Sequence, residues 1–199
     1  HSDLHAMRQL YQAGALGDLV YSEGEYYHYC PEPIDSYKGW RIGLPPQWYP
    51  THSNAYYSGV TAGSFTEVSC MGMPSRVGHC RPENNPYKNP FGTEVALFRT
   101  SEGGMSRMTV SWDTPGNGGA MGRIRGQQGC FYGKYEGPEK SRPQINRPQL
   151  PPGLTPGGQG GCHGDPTNGV AAALLQDGQP QVAIARGLMA RPDLLLLDE

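Results

Sequence analysis

At 199 residues the chain is long enough for one substantial domain that buries roughly two thirds of the surface its unfolded form exposes. Apolar residues make up only 36%, while 29 glycines and 19 prolines call for frequent turns and disfavour a helix-rich architecture. The net charge of −2, with scattered Lys and Arg, provides no basic surface for a phosphate backbone, and no apolar run approaches the ~20 residues of a membrane span, so neither nucleic acid nor a bilayer is an expected partner.

In chain order, Ser2 is placed to cap a helix whose apolar positions Leu4, Met7, Leu10 and Tyr11 recur at helical spacing, ending near Gly14 and Gly17. Residues 19–29 (LVYSEGEYYHY) are rich in aromatic and β-branched side chains and read as a strand. Its pleat puts Glu23 and Glu25 on one side and Ser22, Gly24, Tyr26 and His28 on the other. A stretch dense in aromatics, proline and glycine follows, without a long regular period. Further strands are expected at 65–71, 94–100, 105–112, 122–126 and 130–135. The SEGG turn at 101–104 and the GQQG turn at 126–129 are too short to join anything but antiparallel neighbours. The expected fold class is therefore α+β: an open, mainly antiparallel sheet with a few helices.

Residues 137–164 form a Pro/Gly-rich segment that reads as an extended crossing, and helices are expected at 167–176 and 181–190. The domain is assigned to 1–178, with 179–199 as a separate tail. Because the chain starts at His1 without a methionine and stops at Glu199 directly after an apolar run, it reads as a fragment. Five well-separated cysteines, odd in number and without a CxxC pair, argue against a metal or redox centre and fit reduced thiols in the cytoplasm.

The most informative stretch is WRIGLPPQWYPTHSNA, which gathers Trp40, Arg41, Trp48, Tyr49, Thr51 and His52 into 13 positions. Aromatic faces stack on the apolar faces of sugar rings, while Arg, Thr and His bind hydroxyls, so the mixture suits a sugar or polyol. An aromatic loop packed on the sheet, with His52 as a hydrogen-bonded core histidine, satisfies the same composition. His163, in the glycine-rich run GGQGGCHG at 157–164, is either a second ligand-facing histidine or an ordinary loop residue, and His28 reads as structural.

The segments GALGDLVYSEGEYYH, GWRIGLPPQWYPTHS, VTAGSFTEVSCMG, NPFGTEVALFRTSEGGMSRMTVSWDTPG and GRIRGQQGCFYGKYEG resemble, in order, the C-terminal domain of Gfo/Idh/MocA-type oxidoreductases. The likeness runs from Leu4 to about Leu175. It implies an open sheet used for homo-oligomer contacts, and a sugar or polyol held between this domain and an N-terminal Rossmann domain that carries NAD or NADP. By the same resemblance His52 and Tyr49 are the catalytic candidates, with His52 assisting proton transfer. Trp40, Arg41, Trp48, Thr51 and His163 are the substrate-binding candidates, His163 by likeness to a GGSHG-type loop. Two family features are absent from the sequence: no strand leads into GxGxxG, and there is no Glu-Lys-Pro motif. No cofactor or metal is therefore expected within this chain, and a complete hydride-transfer site cannot be built from it alone. The alternative is a non-catalytic structural or ligand-binding module.

The last residues, QVAIARGLMARPDLLLLDE, instead resemble the Walker B region of an ABC-transporter ATPase, with Asp198 and Glu199 in the acidic positions. No GxxxxGK[ST] loop accompanies them, so an ATPase fragment ranks last among the readings.

Overall fold

The computed structural model describes residues 2–33, 39–116 and 118–145. The expected helices at 167–176 and 181–190, the greater part of the Pro/Gly-rich crossing, the tail and His163 all lie outside the described residues.

Helix α1 (Ser2–Gln12) buries Leu4, Ala6, Met7 and Leu10, the stripe expected from the helical spacing. It ends where Gly14 and Gly17 adopt φ of 70° and 67°, a left-handed conformation that costs any other residue more. Strands β1 (Leu19–Tyr27), β2 (Phe65–Pro74), β3 (Phe91–Thr100), β4 (Met105–Ser111), β5 (Gly119–Gly126), β6 (Cys130–Tyr132) and β7 (Lys134–Glu136) form one seven-stranded sheet in the order β2-β3-β4-β1-β5-β6-β7. The expected strand at 130–135 is in fact two short strands, because Gly133 at φ 68° turns the chain back on itself.

Every neighbouring pair is antiparallel except one: β1 runs parallel to β4, Tyr21 facing Met105 and Tyr27 facing Ser111. The fold class is thus α+β on a mainly antiparallel sheet, and the single parallel pair has a consequence for the site. It brings the C-terminal ends of β1 and β4 to the same edge, where His28 N–H donates to Ser111 O and Cys30 N–H donates to Trp112 O.

The stretch between β1 and β2 is more regular than its composition predicts. Only the short run NAYYSG at 54–59, after His52, reads as helix-like, but an eleven-residue helix, α2 (Thr51–Thr61), forms there. It is anchored at its start by Ser53 N–H and Asn54 N–H donating to Pro50 O. Tertiary packing supplies the period that the sequence hides: α2 buries Ser53, Asn54, Ala55, Tyr56, Tyr57 and Val60, polar and apolar residues alike.

Both helices cover one face of the sheet. The core there joins Leu4, Met7, Leu10 and Leu16 to Ala55, Tyr56 and Val60 and to Ile124, Phe131 and Tyr135 of the sheet. Two glycines in register, Gly24 of β1 and Gly122 of β5, form the notch into which α2 settles. A Cβ on Gly24 would overlap the Ser53 carbonyl, and one on Gly122 would overlap the Tyr56 ring. The opposite face is left open. It presents Met71, Val95, Leu97, Met105 and Met121, all exposed, around a charged centre in which Glu23 meets both Arg107 and Arg123. Among the described residues no helix is long and apolar enough to cross a membrane.

Candidate functional site

A small cleft, open to solvent, lies at the edge where β1 and β4 end together. Its lining is His28, Cys30, Arg41, Leu44, Tyr49, His79, Cys80 and Trp112. Several segments converge here: the ends of β1 and β4 deliver His28 and Trp112, the turn around 39–44 delivers Arg41 and Leu44, the 3-10 turn Pro46–Trp48 leads into Tyr49, and the 3-10 turn Gly78–Cys80 delivers His79 and Cys80. Trp112 is fixed by Nε1–H donation to Leu44 O at 2.8 Å, which ties the loop to the end of β4.

The loop is clamped from below by Gln47, which is buried. Its backbone N–H donates to Glu94 Oε2 at 2.7 Å, and its side-chain Nε2 donates to Glu94 O at 3.2 Å and Met108 O at 3.4 Å. Burial raises the Glu94 carboxyl above the ordinary carboxylate range, and the Gln47 N–H pulls part of that back.

Around Tyr49 the rings form a continuous cluster. His52 stacks on Tyr26 with centroids 4.2 Å apart and on Tyr49 at 5.0 Å, while Trp112 meets Tyr49 edge-on at 6.0 Å. The Arg41 guanidinium lies 5.3 Å from the Trp40 ring centre and 5.1 Å from that of Tyr49, and its Nη2 donates to the Tyr49 hydroxyl at 2.7 Å. Thr51 Oγ1 sits 3.3 Å from His52 Nδ1, and Tyr26 Oη sits 3.3 Å from His28 Nδ1. Burial raises the Cys80 thiol above its ordinary range, with a backbone contact from Gly43 offsetting part, so it behaves as a protonated, apolar wall element.

The structure therefore brings together five of the residues singled out in the sequence: Trp40, Arg41, Tyr49, Thr51 and His52. Tyr49 and Arg41 line the cleft itself, whereas His52 is joined to it through its stack on Tyr49. Trp48 is not among the lining residues: it is 43% exposed and packs edge-on against Tyr87 at 5.7 Å. The 3-10 turn is the reason, since it directs Gln47 into the core and Trp48 out of it.

His28, read as structural, lines the cleft, as do Trp112, His79, Cys30 and Cys80, which were not singled out. For His28 and Trp112 the missing signal was the parallel pairing of β1 with β4, which no turn length reveals. Among the described residues no group of His, Cys, Asp and Glu is arranged to hold a metal ion.

No protein-family model matches the chain, and no curated protein matches it. Among solved structures, an oxidoreductase domain protein from Kribbella flavida is similar at 17% identity and a TM-score of 0.49, over 64% of this chain and 36% of that one. Scyllo-inositol dehydrogenase from Lactobacillus casei with bound NAD(H) and scyllo-inositol is similar at 12% identity and a TM-score of 0.48, over 66% and 38%. Levoglucosan dehydrogenase in complex with NADH is similar at 14% identity and a TM-score of 0.47, over 64% and 37%. The match spans little more than a third of the length of each of these proteins. No residue role is carried over from them, and no family model or curated protein supports the ATPase likeness of the tail.

Proposed function

We propose that this chain is the substrate-binding and oligomer-forming part of an NAD(P)-dependent sugar or polyol oxidoreductase. The observation that carries the proposal is the cleft's lining: Tyr49 and Trp112 rings, a guanidinium and imidazoles gathered at one solvent-open edge of the sheet. Rings of this kind stack on the C–H faces of a pyranose or cyclitol, and Arg41, which lines the cleft, supplies guanidinium donors for its hydroxyls.

The residues of this chain do not fit a dinucleotide. No strand leads into a glycine-rich GxGxxG turn, so NAD or NADP is assigned to a Rossmann domain outside these 199 residues. That cofactor, when bound, accepts or returns the hydride. The part left to this chain is to hold the sugar, to shield it from water and to move the proton of the reacting hydroxyl. His52 is the candidate for the proton because an imidazole both takes and returns one near neutral pH. The Thr51 hydroxyl at Nδ1 and the Tyr26 and Tyr49 rings fix its orientation. Tyr49, hydrogen-bonded to Arg41, positions the sugar beside it.

The open face of the sheet supports the second half of the proposal. Met71, Val95, Leu97, Met105 and Met121 stand exposed around the Glu23, Arg107 and Arg123 group, and a second copy of the chain covers such a face symmetrically. The deciding experiment mixes the chain with a Rossmann-domain partner, NAD(P)H and candidate sugars and follows nicotinamide absorbance. Turnover that requires both parts supports the proposal. Sugar binding without turnover in any combination favours the reading as a non-catalytic binding module.

A further inference from the structure

A sugar cleft needs hydroxyl donors and acceptors, and Arg41 is more than that. Building on the sugar-cleft reading, we infer that the cleft takes a sugar bearing an anionic group, a carboxylate or a phosphate, with Arg41 as the anchor of the anion.

Arg41 is pinned, and no described carboxylate matches its charge. The Trp40 and Tyr49 rings at 5.3 and 5.1 Å hold the guanidinium, and Nη2 donates to the Tyr49 hydroxyl, but neither contact supplies a negative charge. Among the described residues Arg41 forms no ion pair, whereas Arg99, Arg107 and Arg123 on the open face of the sheet each meet a glutamate. The eight described residues of the lining include Arg41, His28 and His79 and contain no Asp or Glu.

Two acidic groups on neighbouring elements, Asp113 and Glu94, are committed elsewhere. Asp113, next to Trp112, accepts from Ser75 Oγ through one oxygen and from Arg76 N–H through the other. Glu94 accepts from the Gln47 backbone. A guanidinium immobilised against aromatic rings has already given up much of its rotamer freedom, and its planar fork matches the two oxygens of a carboxylate or phosphate. Such charge-assisted pairs are about twice as strong as neutral hydrogen bonds, so an anionic group gains more from this site than a hydroxyl does.

The test titrates the 199-residue chain with glucose, glucuronate and glucose 6-phosphate at low and moderate salt, followed by tryptophan fluorescence, for the unaltered chain, Arg41→Lys and Arg41→Gln. The expected result is that at least one anionic sugar binds about tenfold or more tighter than glucose, with a preference that weakens in salt. Arg41→Gln should bring the anionic sugars down to the level of glucose, and Arg41→Lys should restore part of the preference because it keeps the charge without the fork. Which anion gains more tells carboxylate from phosphate. Glucose binding as tightly as both anions overturns the inference and leaves the sugar cleft standing. A preference that survives Arg41→Gln, in a variant whose melting temperature shows it folded, removes Arg41 as the anchor. Binding of none of the three overturns this inference and the sugar reading together.

Discussion

The Nη2 of Arg41 donates to the Tyr49 hydroxyl at 2.7 Å while the same guanidinium lies 5.1 Å from the centre of the Tyr49 ring. Ring and hydroxyl hold the cation in different ways, one through the π face and the other through a directed hydrogen bond. Tyr49→Phe separates them. It should cost stability only about 0.5–1.5 kcal/mol, since the ring stays and one net hydrogen bond is lost. Ligand affinity should fall several-fold as Arg41 loses its fixed direction. Parallel denaturant and ligand titrations check this, and unchanged affinity would show that the hydroxyl does not position Arg41.

In an assembly that includes a Rossmann partner, His52→Ala should lower turnover by about 10²- to 10⁴-fold, the usual weight of general acid-base catalysis. Substrate affinity should change far less. Because His52 also stacks on Tyr26 and Tyr49, His52→Phe is the informative companion: it keeps a stacking ring and loses the proton. Near-normal kcat in His52→Phe would leave His52 with a packing role alone. Trp48→Ala should alter KM little, since Trp48 packs on Tyr87 and is not among the residues that line the cleft.

Replacing Met71 and Leu97 together by glutamate should convert an oligomer to a folded monomer, read by light scattering with circular dichroism as the check on folding. Both side chains are exposed on the open face of the sheet, 80% and 43% respectively, so their removal costs the isolated domain little. A monomeric parent chain at high concentration would end the oligomer proposal directly.

Gly24→Ala should destabilise the domain by about 1–3 kcal/mol or more, because its methyl group meets the Ser53 carbonyl and α2 must lift off the sheet. Gly103, where an added Cβ meets nothing but φ is 86°, is the control for conformational strain without a clash. Urea unfolding of both variants decides the matter; equal effects would mean that the notch under α2 is not tight.

Burial raises the Glu94 carboxyl in the folded state above its unfolded value. The folded chain therefore binds this proton more tightly than the unfolded chain, and stability is lost as pH rises from the unfolded value of about 4.3 through the folded one. Glu94→Gln removes that slope while keeping an acceptor for Gln47 N–H. Its melting temperature relative to the parent should therefore rise as pH climbs above about 4. A difference that is flat with pH would show that Glu94 stays ionised on folding.

Much of this protein is legible in local sequence. The helical spacing of Leu4, Met7 and Leu10 predicts α1, and alternation places Glu23 and Ser22 on opposite faces of β1, as observed: Glu23 meets arginines on the open face while Ser22 donates to Ser106 Oγ beneath the helices. Short glycine turns at 101–104 and 126–129 dictate their hairpins because so few residues cannot cross a sheet. The mixture of rings, guanidinium, hydroxyl and imidazole in the 40–52 stretch is equally local, because it depends on which side chains are present.

What only the tertiary structure decides is which of those side chains meet. Helix α2 has weak periodicity of its own and forms where the Gly24 and Gly122 notch accepts it, which carries His52 onto Tyr26. The buried Gln47 turns the loop so that Tyr49 faces the cleft and Trp48 does not. The parallel contact of β1 with β4 sets His28 beside Trp112, 84 positions apart along the chain. Local propensity acts over a few residues, whereas strand order is set by which long-range pairing buries the most surface, and that choice belongs to the whole domain.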